Sequence, residues 1–88
     1  MMMPEPRDVR LRRMSMRSMR RGIREMDIIL MRYAETRLDA LSADQLDIYD
    51  ALLEESDHDL YQWVSGHVAP PAHYATMIDH IAAVRGTD

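Results

Sequence analysis

The 88-residue sequence has no cysteine, no phenylalanine and no lysine, and only three glycines and four prolines. Without cysteine there is no disulfide scaffold, Cys-bearing zinc finger, iron–sulfur cluster or thiol nucleophile. So few Gly and Pro leave little for linkers or collagen-like repeats. No run of 18 apolar residues occurs, so no membrane insertion is expected. The Met-rich start is broken by Pro4, Glu5, Pro6 and many arginines, unlike a secretory signal. A chain of 10.3 kDa makes one small domain with a modest core and no deep pocket of its own.

What is present is a globular mixture, with 47% apolar and 30% charged residues, rather than a disordered one. The overall charge of −4 hides an asymmetry. Residues 1–24 carry eight Arg against Glu5 and Asp8, a net +6, while residues 25–88 carry three Arg against thirteen acids, a net −10. Every cation is Arg, whose planar fork suits carboxylates and phosphates; a GC-rich genome accounts for that choice equally well. Exclusive Arg use and the lack of a targeting segment suggest a bacterial cytoplasm.

The pattern is helical throughout, so the expected fold class is all-α, a small five-helix bundle. Residues 1–8 are expected to be a flexible N-terminal tail and residues 9–86 one helical domain. A first helix is expected from about Arg7 to Arg20, basic along Arg10, Arg13, Arg17, Arg20 and Arg21, with Val9, Met16 and Met19 on a patchy apolar side. Gly22 either closes that helix or opens the next. The second runs from Ile23 to Leu38 with an apolar stripe of Met26, Ile29, Leu30, Tyr33 and Leu38. Ser42 followed by Gln45 predicts a capping box at the start of the third helix, which buries Leu46, Tyr49, Leu52 and Leu53. Asp57 is placed to cap a short fourth helix carrying Leu60, Trp63 and Val64, with Gly66 as its stop. Pro70 or Pro71 opens the last, which carries Tyr74, Met77, Ile78, Ile81 and Val84 and ends at Gly86. Tyr49, Trp63 and the Leu/Ile stripes are the expected core.

Few residues point to chemistry. His73 and His80 share a helix face, but a helical zinc pair is better served by a spacing of four, so no metal site is expected. Glu54, Glu55, Asp57 and Asp59 have no apolar pocket to raise a pKa and read as a solvated face rather than an acid/base pair. With no nucleophile triad and no Gly-rich phosphate loop, an enzyme is not expected. The basic first helix offers an alternative function, a nucleic-acid-binding or antitoxin-like regulatory module. Against it, no aromatic is interleaved with those arginines and the rest of the chain repels phosphate.

The most informative segment is Arg20-Arg21-Gly22-Ile23-Arg24-Glu25-Met26-Asp27. It can be a plain helix junction, with Glu25 favouring the positive end of the second helix. It can also be a flat contact surface, where Gly22 admits a partner to the backbone between opposite charges on Arg21 and Glu25.

Arg21-Gly22-x-x-Glu25-x-Asp27 resembles the signature of the SdhE-type flavinylation factors, also called succinate dehydrogenase assembly factor 2 and, in mitochondria, Sdh5. The Leu41–Trp63 run, with Asp57-x-Asp59-Leu60-x-x-Trp63, is similar too, and so is the Pro-containing turn before the last helix. The resemblance covers roughly residues 9–85 in order. It implies a helical assembly chaperone that docks on the flavoprotein subunit of succinate dehydrogenase, and in some bacteria of fumarate reductase; a monomer is expected. It promotes covalent attachment of FAD to a His of that client, so FAD belongs to the client and no cofactor is held stably. The partner-binding residues carried over are Arg21, Gly22 and Glu25, with Arg24 and Asp27 as companions. Many relatives have an aromatic just upstream of the Arg-Gly pair, where this chain has Met16 and Met19.

Overall fold

The computed structural model describes residues 5–85. Five α-helices run in chain order: α1 (Arg7–Arg17), α2 (Arg24–Arg37), α3 (Ala43–Leu52), α4 (Asp57–Val64) and α5 (Ala75–Arg85). Short 3-10 turns precede α3 (Leu38–Ala40) and α5 (Ala72–Tyr74), and no strand occurs among the described residues. The expected all-α five-helix architecture is the one observed. None of these helices is long and apolar enough to cross a membrane. α1 begins at Arg7, where the first helix is expected, so Arg7 and Asp8 belong to it rather than to the tail of residues 1–8. Met1 to Pro4 of that tail, and Gly86, lie outside the described residues.

The stripes of α2, α3 and α5 bury as their spacing requires. Met26, Ile29, Leu30, Tyr33, Leu46, Tyr49, Leu52, Leu53, Met77, Ile78, Ile81 and Val84 all belong to one core. At its centre the rings of Tyr33 and Tyr49 lie tilted, 5.4 Å apart. The Ser42 box is present in both directions: the Gln45 N–H donates to Ser42 Oγ at 3.2 Å, and the Ser42 N–H donates to Gln45 Oε1 at 2.8 Å. Gly66 adopts φ 82° just past α4, a left-handed position that glycine takes without a Cβ penalty.

Four expectations are corrected. α1 stops at Arg17 rather than Arg20, and the left-handed residue that turns the chain is Arg20 (φ 55°), not Gly22. The apolar side of α1 is not Val9, Met16 and Met19, which are exposed; Met14 faces the core and Leu11 packs at its edge. The roll of α1 is set by its charges (below) and by Ser18, whose buried hydroxyl donates to Met14 O and lies 2.6 Å from Tyr49 Oη. Trp63 is a rim residue, half-buried over Tyr74 at a ring separation of 5.9 Å. Finally, Ser56 caps α4 by accepting from the Asp59 N–H, which frees the Asp57 carboxylate for another task.

Candidate partner-binding hinge

The charge asymmetry of the sequence is resolved inside the molecule. Arg10, Arg13 and Arg17 descend α1 in steps of three and four, and Asp47 and Asp50 on α3 are followed at the same spacing by Glu54, just past its end. Arg10 meets Asp47 at 2.6 Å, Arg13 holds both oxygens of Asp50 at 3.0 and 2.8 Å, and Arg17 meets Glu54 at 2.7 Å. Arg13 also grips both oxygens of Glu5. The Arg13 hydrogen bond, reinforced by the neighbouring arginines and opposed by partial burial, holds the Asp50 carboxyl below its ordinary pKa. The Arg10, Arg13 and Arg17 part of the basic face is therefore an ion-paired seam, and Glu54, one of the acids read as a solvated face, belongs to its other half.

The seam leads into the connector between α1 and α2. The Arg21 side chain, 11% exposed, turns inward there. Its Nη1 donates to Arg17 O at the end of α1, and its Nη2 donates to Leu53 O and Glu55 O after α3. One guanidinium thus serves the carbonyls at the C-terminal ends of two helices, where a cation is favoured by the helix dipoles. Its Nε donates to Asp57 Oδ1 at 2.7 Å. The second oxygen of Asp57 accepts the Gly22 N–H at 2.6 Å. A Cβ on Gly22 would stand 2.9 Å from that oxygen, closer than real Cβ contacts come. Gly22 is bare because the carboxylate of α4 occupies the place of a side chain.

The remaining signature residues sit on the first turns of α2. Arg24 and Glu25 are exposed. Asp27 is half-buried, and its Oδ1 is shielded from solvent without a hydrogen-bond partner. The structure therefore brings Arg21 and Gly22 together through Asp57, and leaves Arg24 and Glu25 outward. Sequence reading missed Asp57 as the residue that joins them. It lies in the run quoted for the resemblance, but a link across 36 positions leaves no local signal. No group of three or more His, Asp or Glu able to hold a metal exists among the described residues.

Comparisons with known proteins converge. The family model described as "Flavinator of succinate dehydrogenase" matches residues 12–85, which span the hinge and helices α2 to α5 together with the end of α1 from residue 12. A succinate dehydrogenase assembly factor 2 of mitochondria from Meyerozyma guilliermondii is 46% identical over 69% of this chain and 45% of its own length. The chain thus spans less than half the length of that curated relative. An FAD assembly factor from Vibrio cholerae is 40% identical over 73% of this chain and 76% of its own. One from Legionella pneumophila is 34% identical over 70% and 78%.

Proposed function

The chain belongs to the family of flavinators of succinate dehydrogenase, and on that premise we propose that it is an assembly factor that binds the flavoprotein subunit of succinate dehydrogenase and promotes covalent attachment of FAD to it. The reading extends to a fumarate reductase subunit of the same build. The observation that carries it is the division of labour at the hinge. Arg21 and Asp57 fix the connector internally, and the exposed backbone of Gly22 is held beside the outward Arg24 and Glu25.

Covalent flavinylation requires a flavin methyl carbon and a client His nitrogen in near-attack geometry, with negative charge developing on the ring. A helper accelerates this by binding more tightly to the client state that has that arrangement, which raises its population. A pre-fixed hinge suits this role, because little ordering entropy is lost on docking. In this reading Glu25 and Arg24 contact the client, Gly22 offers its backbone face, and Arg21 acts from behind as the positioning residue. Asp27, an acid in the first turn of α2, favours the positive end of that helix. The chain carries out no bond-making step itself, FAD stays with the client, and a bacterial cytoplasm is its place of action.

The alternative of a nucleic-acid-binding or antitoxin-like module loses its surface, since Arg10, Arg13 and Arg17 are all engaged by carboxylates. The test is protein-bound flavin on the purified flavoprotein subunit, supplied with FAD, with and without this chain. Faster covalent incorporation that is lost with Glu25→Ala is expected. Equal incorporation with and without the chain would sink the reading.

A further inference from the structure

With Arg21 and Gly22 occupied by the internal lock, the surface next to the hinge is the outer side of α2 where it meets α4. Glu25 and Ile28 are three residues apart and share a helix face. Ile28 is 50% exposed, whereas the neighbouring Met26, Ile29 and Leu30 are buried. Glu25, Ile28, Ile29 and Tyr61 line a cleft of about 190 Å³. That is below the range of small-molecule sites, roughly 300–1,000 Å³, so a flavin does not fit and a single side chain does. Its walls are an isoleucine pair and a half-buried tyrosine, and a carboxylate stands at its mouth. Glu25 has no ion-pair partner among the described residues, unlike the acids of the α3 seam.

We infer that this cleft is the specificity pocket for the client: it takes one aliphatic or methionine side chain of the flavoprotein subunit, with an adjacent client Lys or Arg paired to Glu25. The inference rests on the assembly-factor reading and names the chemistry that reading needs. Charge selects the occupant. Glu25 keeps its charge unpaired among the described residues, whereas the seam acids are met by the α1 arginines, so a basic-flanked apolar segment is attracted. A second copy of this chain is not, because a two-fold contact through the patch would bring the two Glu25 carboxylates together. The Arg21–Asp57 lock acts one step removed: it fixes the start of α4 against the hinge and so sets the wall that carries Tyr61.

The experiment titrates purified, non-covalently loaded flavoprotein subunit with the full chain and its variants, at low and high salt. Ile28→Asp is expected to weaken binding about tenfold or more at an unchanged thermal midpoint, with Ile28→Leu close to the parent chain. Should Ile28→Asp fail to fold, Ile28→Ser takes its place. Glu25→Gln is expected to weaken binding and to flatten its salt dependence, while the uncharged Ile28→Ser weakens binding and keeps the parent salt slope. Parent-like affinity in both Ile28→Asp and Ile28→Ser overturns the cleft but leaves the assembly-factor reading standing. No binding by the parent chain overturns both. Self-association of the parent chain that Ile28→Asp abolishes assigns the cleft to a second copy and overturns the inference.

Discussion

The Asp57 Oδ2 accepts the Gly22 N–H at 2.6 Å from 35 positions along the chain, and lies only 2.9 Å from where a Cβ at position 22 would stand. The two residues therefore depend on each other in a measurable way. Gly22→Ala forces the carboxylate aside and is expected to destabilise the domain by about 1–2 kcal/mol, part of the roughly 1.5–3 kcal/mol that a hydrogen bond to a charged group is worth. Asp57→Ala loses that bond and the Arg21 pair together, a cost of about 2–3 kcal/mol. In the Asp57→Ala background the alanine at 22 meets no carboxylate and is expected to be nearly free. Urea unfolding of the four proteins gives the coupling, and additive costs would refute the steric account.

The contact between Ser18 and Tyr49 predicts an asymmetry. Ser18 Oγ donates to Met14 O, so at 2.6 Å it accepts from Tyr49 Oη. Ser18→Ala strands a buried phenol and is expected to cost about 1–3 kcal/mol, against about 0.5–1.5 for Tyr49→Phe. Burial, only partly offset by the Ser18 bond, pushes the Tyr49 phenol up to about 12. The stability this gives is complete below about pH 10, the unfolded value, and is lost as pH rises through the folded one. Absorbance titration of the phenolates, set against Tyr49→Phe, checks it.

Acid acts on the seam. The folded Asp50 carboxyl is depressed, chiefly by Arg13, so its contribution is complete above its unfolded pKa and disappears as pH falls through the lower folded one. Asp50→Asn should be less stable than the parent chain at pH 7, and the difference in thermal midpoint should shrink below about pH 4. A gap that holds constant down to pH 2 would show that the loss is one of packing rather than charge.

The start of α3 offers a local test. Ser42→Ala removes the acceptor for the Gln45 N–H and is expected to cost about 1 kcal/mol. Gln45→Ala, which loses only the return bond to the Ser42 N–H, should cost less. Equal effects, read by chemical denaturation, would argue against the reciprocal box.

How much of this was legible follows from range. The stripes Met26–Tyr33 and Tyr74–Val84 and the Ser42–Gln45 box are written in steps of three and four, and a helix reads those steps directly. The limits of α1 were not legible, because its last turn is decided by a hydroxyl bonded to Tyr49, on another helix. Trp63 looked central by size, yet it lies half-buried at the rim, its ring tilted over Tyr74. In the hinge, the sequence pointed to Arg21, Gly22 and Glu25 as a unit, but the structure divides them into an internal lock and an outward carboxylate.

Composition and periodicity alone determined the helical class, the buried stripes and the opposed charge of the two chain segments. Only the tertiary structure decided which charges cancel: the roll of α1 against α3 pairs Arg13 with Asp50, and the approach of α4 closes Asp57 onto Arg21 and Gly22. Those choices are made between groups more than thirty residues apart, by the packing of rigid helices, and no pattern within one helical turn encodes them.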